Sequence, residues 1–434
     1  MIMKRIFRWL RIVFTLLFLM TFLERSALNL ASRAGQIQAY SRPLEFDHFS
    51  WMVGAMWNKV EQFSLGTERY ISASEGSQFV LDYLDLVEQI FQLENEYQNI
   101  YSDPGVENPE SAVADVKAQL DEKRARRTEM APLVEELLQR QINASLADLG
   151  LTRGGQSVPP VLYQSLHSSY LLVISPRDEI RRDIDFTLIP NLTLEESIAL
   201  EEDIEANLDV SALVTGIGGM GMYPSMIVET TSLHWLILVV SHEWTHNYLS
   251  LRPLGMHYSA TPTMLVINET IADLSGYAIR DAVLERFYPE HVYVSVAEKM
   301  AKNTAEEDFL EAFVEMSKTH FFDFRHEMHK TRVVVDRMLA DGEIEEAEAY
   351  MEERRQFFWE HGYHIRRLNQ AYFAFHGMYA ASPGGAVSGS ANILGDNIRG
   401  LQDAMPSYAS FMRKVAWMWR EDQFEQAFEE YLNK

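Results

Sequence analysis

His242 and His246 stand four residues apart with Glu243 directly after the first of them. On a helix this spacing stacks two imidazoles one turn apart on the same face, so that both can reach one ion. Glu243 then lies beside that ion, suited to hold a water molecule and accept its proton. Zinc lowers the pKa of a bound water toward about 7, so this pattern points to hydrolysis at neutral pH. Glu269 follows His246 by 23 residues and completes a His, His, Glu donor set. Three protein ligands leave a fourth position for water, the open arrangement of a catalytic zinc site. Asp273, one helical turn after Glu269, can hydrogen-bond a ligand imidazole and fix its tautomer.

These side chains need two helices held against each other. Leu233, Leu236, Ile237, Val239 and Val240 predict a buried helix over 232–249, and 263–287 reads as the second. Buried imidazoles and carboxylates on such a helix demand a partner. Upstream, 169–175, 183–189 and 210–215 read as short strands, with a helix over 195–208 between them. Earlier still, 75–101 and 110–150 predict two long helices separated by Asp103-Pro104-Gly105, forming a helical hairpin. Residues 42–70 are aromatic-rich and predict a short helix, and 153–160 form a linker. After Pro289 the chain reads as helical, apart from a Gly/Ser-rich loop over 382–400. The expected class is α+β: a small sheet with metal-binding helices over 151–290, flanked by predominantly helical regions over 25–150 and 291–434.

The pair His242-Glu243-x-x-His246 and Asn268-Glu269-x-x-Ala272-Asp273 resembles the thermolysin-like zinc peptidases, the gluzincins. The resemblance covers about 30 to 60 residues and implies a zincin-like catalytic domain that hydrolyses peptide bonds. It implies Zn2+ on His242, His246 and Glu269, Glu243 as general base and Asp273 behind a ligand. It also implies an edge strand before the metal helix that pairs with an extended peptide. Thr215 to Val228 is in that place, although a glycine-rich turn is the alternative reading. Zinc aminopeptidases of the group carry Gly-x-Met-Glu-Asn there; this chain has Gly219-Met220-Gly221-Met222 and no acid. An oxyanion donor is expected from a later segment. Asn369, Tyr372, His376 and Tyr379 fall at helical spacing, which nominates Tyr372 or His376, with ordinary packing residues as the alternative. The stretch around Leu368-Asn369 and Tyr372, with Pro406-Ser407-Tyr408 further on, is faintly similar to predicted bacterial zinc aminopeptidases.

Composition narrows the classes. There is no cysteine, which excludes disulfides, zinc–thiolate sites and thiol nucleophiles. A formal charge of −25 argues against nucleic acid as a partner. Lys4, Arg5, Arg8 and Arg11 precede an apolar run from Ile12 to Leu23. This is the layout of a signal anchor or signal peptide over 1–24, with an amphipathic helix as the alternative. The expectation is a membrane-anchored chain with its body on the extracytoplasmic side, or a secreted one if the segment is cleaved. His320, His326 and His329, and His361 with His364, form two further clusters read as packing histidines or a second metal site. Two other functions fit the same residues: a membrane-tethered interaction protein on an inactive scaffold, and a zinc hydrolase of non-peptide substrates.

Overall fold

The run Leu171-Leu172-Val173-Ile174 is apolar at every position, which suits a strand covered on both faces. The computed structural model bears this out; it describes Thr15 and residues 29–66, 71–102, 109–166, 169–190, 192–292, 322–379 and 385–432. β2 (Tyr170–Ser175) is the centre of an antiparallel three-stranded sheet, between β3 (Ile184–Leu188) and β4 (Ser211–Gly216). Leu172 lies opposite Phe186 on one neighbour and Val214 on the other. Leu172 and Ile174 face a core made with α1 (Arg33–Ser41) and α5 (Leu194–Asn207). Leu171 and Val173 face the opposite way, toward Phe375 and Met378. Residues 44–46 extend this sheet: Phe46 N–H donates to Thr187 O at 2.9 Å, and Ile189 N–H to Leu44 O at 2.8 Å.

A second small sheet places β6 (Ser225–Val228) between β1 (Tyr163–Leu166), which runs parallel to it, and β5 (Gly219–Met220), which is antiparallel. β5 is therefore an edge. Asn247, on the helix beneath, donates to Met222 O at 2.8 Å and to Ser225 Oγ at 3.0 Å, tying the β5–β6 turn down.

The helices follow the predicted order. α2 (His48–Leu65) is longer than the short helix expected over 42–70. α3 (Ala73–Ser102) and α4 (Ala114–Asp148) form the hairpin. α6 (Leu233–Ser250) starts at Ser232, whose Oγ accepts from Trp235 N–H, and α7 (Pro262–Phe287) starts at Thr261, followed by proline in the first turn. Both starts are favourable because capping hydroxyls satisfy backbone donors that the helix itself leaves open. α6 and α7 pack closely at Gly276, where a Cβ would come within 2.9 Å of Leu238 Cδ1 and 3.0 Å of Leu238 O. One large core joins α3, α4, α6 and α7 to the carboxyl-terminal helices α11 (Gly389–Asp403), α12 (Tyr408–Val415) and α13 (Glu421–Leu432). Between these lie α8 (Phe324–Ala340), α9 (Ile344–Glu360) and α10 (Gln370–His376).

Two expectations are corrected. Much of the supposed loop over 382–400 is α11, capped by Ser388, whose Oγ accepts from Ala391 N–H at 3.2 Å. Its Ala391, Ile398 and Leu401 are buried, and this periodic apolar set outweighs the glycines and serines. The second correction concerns the membrane. Among the described residues no helix is long and apolar enough to cross one, so the anchored, transmembrane placement is not upheld. The run Ile12 to Leu23 lies outside the described residues except for Thr15, and it falls short of the roughly 20 apolar residues that a span requires.

α2 is docked by a buried ion pair. Lys59 Nζ lies 2.5 Å from Glu135 Oε2, with exposures of 2% and 4%, and Glu135 Oε1 accepts from Ser165 N–H at 2.8 Å. Lys59→Met is expected to cost about 3–5 kcal/mol because it strands a carboxylate in the interior. The double change Lys59→Met with Glu135→Gln is expected to recover part of that loss. Urea unfolding of both variants checks this; equal stability of wild type and single variant would show the pair to be solvated.

Candidate metal centre

α6 carries His242, Glu243 and His246, and α7 carries Glu269 and Asp273. The close packing of these helices brings the three expected donors together. One nitrogen or oxygen from each of His242, His246 and Glu269 lies within 4.8 Å of the others. The two Nε2 atoms are 3.0 Å apart, and Glu269 oxygens lie 3.5 Å from His242 Nε2 and 3.6 Å from His246 Nε2. No other group of this kind occurs among the described residues.

The donors fit a metal ion by their chemistry. His242 Nδ1 is 2.9 Å from an Asp273 oxygen. With its proton on Nδ1, donated to that carboxylate, His242 presents a lone pair at Nε2 toward His246 and Glu269. The Tyr258 hydroxyl donates to Glu269 Oε1 and so orients the third donor. The surroundings favour positive charge at the meeting point. Burial pushes the His242 imidazole down, but hydrogen bonds to Asp273 and Glu269 hold it well above its ordinary range. Burial would raise Glu269, yet the two histidines hold it well below the usual carboxylate range. Glu243 is not among the convergent donors. It is 7% exposed, and burial is the main cause that raises its carboxyl above the ordinary value, against the opposing pull of His242 and His246.

Asp273→Ala is expected to weaken metal binding about 10- to 100-fold by releasing the His242 ring. Competition against a chromogenic chelator measures this; unchanged affinity would remove Asp273 from the centre.

The centre lies in a cleft of about 900 Å³, lined by both small sheets, α6, α7 and the end of the α10 segment. The glycine-rich stretch expected to border the metal helix does so. A Cβ on Gly219 would stand 2.9 Å from both Glu243 Oε1 and Val239 Cγ1, so only glycine lets β5 run this close to Glu243.

Tyr372 and His376 do not line this cleft. The helix that carries them is short: Asn369 caps it by accepting from Tyr372 N–H, and it ends at Gly377. The supposed four-residue face is therefore broken at both ends. Tyr372 and His376 pack against each other, their rings tilted by 45° with centroids 4.3 Å apart. Burial pushes Tyr372 up to about 12 and His376 down to about 4. Tyr379, beyond the helix end, is the member of the set that reaches the cleft, 6.3 Å from the His242 ring between centroids.

Two cleft residues escaped the sequence reading. Tyr258 sits in the return between the metal helices, its ring edge-on to His246 at 5.6 Å. Its position between two ligand-bearing helices was the available signal. Arg182 precedes β3 and offers no local pattern. Of the other histidines, His320 lies outside the described residues, His329 Nδ1 is 2.8 Å from Val387 O, and His361 stacks on Phe322. Comparison with protein-family models, curated proteins and solved structures finds no match to this chain.

Proposed function

We propose that this chain is a zinc-dependent metallopeptidase of gluzincin type, with a zincin-like catalytic core. The observation that carries the reading is the convergence of His242, His246 and Glu269 in a cleft, with Glu243 between that point and a glycine-rich edge strand. Two imidazoles and a carboxylate suit zinc, which in such a three-ligand site polarises a carbonyl and acidifies water.

The remaining chemistry belongs to the chain. Among the described residues β5 keeps an unpaired edge along which an extended peptide can add as a further strand, and the absence of a side chain at Gly219 lets that strand lie close to Glu243. Glu243 accepts the proton of the attacking water as the new C–O bond forms, then returns it to the leaving nitrogen as the C–N bond breaks. A buried carboxylate with a raised pKa suits this exchange. Tyr379, which lines the cleft, is the phenol available to donate to the developing oxyanion, a role that passes to it from Tyr372 and His376 because the Tyr258 hydroxyl is held by Glu269.

The test is hydrolysis of a mixed-sequence peptide library by the zinc-loaded chain, followed by mass spectrometry, with and without a chelator. Zinc-dependent cleavage at backbone amides supports the reading. Zinc uptake without cleavage of any peptide sinks it, leaving an inactive scaffold or a hydrolase of other substrates.

A further inference from the structure

The cleft has one guanidinium. Of its described lining residues Glu45, Asp185, Glu243, Glu269 and Asp273 are acidic, and Arg182 is the only arginine or lysine. In a chain of net charge −25 it is, apart from the candidate metal centre, the cleft's fixed positive charge among the described residues.

Arg182 is held in a fixed pose. Its Nε donates to Asp185 Oδ1 at 3.0 Å and its Nη2 lies 2.7 Å from Asp185 Oδ2, a two-pronged clamp. The side chain is 16% exposed, so most of it has left water. Burial works against its charge; the Asp185 carboxylate, with smaller contributions from Tyr258 and Glu269, more than offsets this and keeps Arg182 fully charged. Tyr258 and Glu269 belong to the metal centre, so the guanidinium and the reacting atoms share one electrostatic neighbourhood.

The third nitrogen is different. Among the described residues, the partner of Nη1 is the Met378 thioether, at 3.6 Å. Sulfur of this kind is a weak acceptor. A desolvated guanidinium whose best remaining acceptor is a thioether is poorly satisfied, and an oxygen anion arriving from the cleft would improve on it. A simple surface pair between Arg182 and Asp185, three residues apart, would need neither the burial nor the cleft position.

We propose that Arg182 forms a carboxylate-binding subsite, so that the preferred substrates carry a carboxylate close to the scissile bond. The inference rests on the peptidase reading for its substrate class, but not for the binding itself. Either a free carboxyl terminus or an Asp or Glu side chain supplies the same chemistry.

The experiment uses matched peptides: carboxyl-terminal acid against amide, and internal Asp or Glu against Asn or Gln. Binding is measured by calorimetry on the full chain carrying Glu243→Gln, and turnover on the zinc-loaded wild type. The acid of a pair is expected to bind about ten- to a hundredfold more tightly than its neutral partner. Arg182→Met should erase that preference by lowering the acids' affinity more than that of the neutral peptides, and Arg182→Lys should restore part of it with unchanged circular dichroism. A terminal carboxylate is the source if only the acid/amide pairs discriminate; a side chain is the source if only the Asp/Asn and Glu/Gln pairs do. Equal affinity within every pair, or loss of acid and neutral binding alike in Arg182→Met, overturns the proposal. Discriminating binding with no cleavage upholds the subsite and removes the peptidase reading; cleavage without discrimination does the reverse.

Discussion

Glu243→Gln is expected to lower peptide hydrolysis by about 10²- to 10⁴-fold while zinc content stays at wild-type level. Glutamine keeps the size and shape of the side chain but cannot take up a proton. The separation of effects is possible because Glu243 stands outside the donor group formed by His242, His246 and Glu269. Its carboxylate points instead toward Gly219 and the cleft. The measurements are kcat/KM on a cleaved peptide and metal analysis of the same sample. Activity within a few-fold of wild type would mean that another group takes the proton; loss of zinc along with activity would mean that Glu243 serves the metal.

His246→Ala removes one of three donors and is expected to abolish stoichiometric zinc uptake. The readout is twofold. Metal analysis should fall from about one ion per chain to a small fraction of that, and zinc should no longer stabilise the fold. For wild type, a free ligand at 1,000 times its Kd stabilises by about 4 kcal/mol, which appears as a clear rise in thermal midpoint. His246→Ala should show almost none of this rise while unfolding normally without zinc, because its side chain faces the cleft more than the core. An undiminished rise would place the ion elsewhere.

The helices that carry the candidate donors were legible because two signals coincide. Apolar periodicity marked 232–249 and 263–287 as buried helices, and polar residues at ligand spacing interrupted that apolar surface. The strands around Leu172, Phe186 and Val214 were legible from their β-branched and aromatic runs. β1, β5 and β6 were harder, being two to four residues long and stabilised by neighbours distant in sequence. α11 was hidden by its glycines and serines, which say loop locally while Ile398 and Leu401 say core. Tyr372 and His376 show the limit of helical spacing as evidence. Four residues share a face only if the helix continues through all of them, and this one stops at Gly377. Arg182 could not be found by any local pattern, and Tyr258 had only its place between the two helices to mark it, since their meaning comes from what the fold sets opposite them.

The cleft wall combines Glu45, Phe46 and His48 with Phe375 and Tyr379 around ligands that all fall between residues 242 and 269. During synthesis the three donors therefore leave the ribosome more than a hundred residues before Tyr379 does. The order in which these residues emerge thus supplies the candidate donors before the last part of the groove's wall.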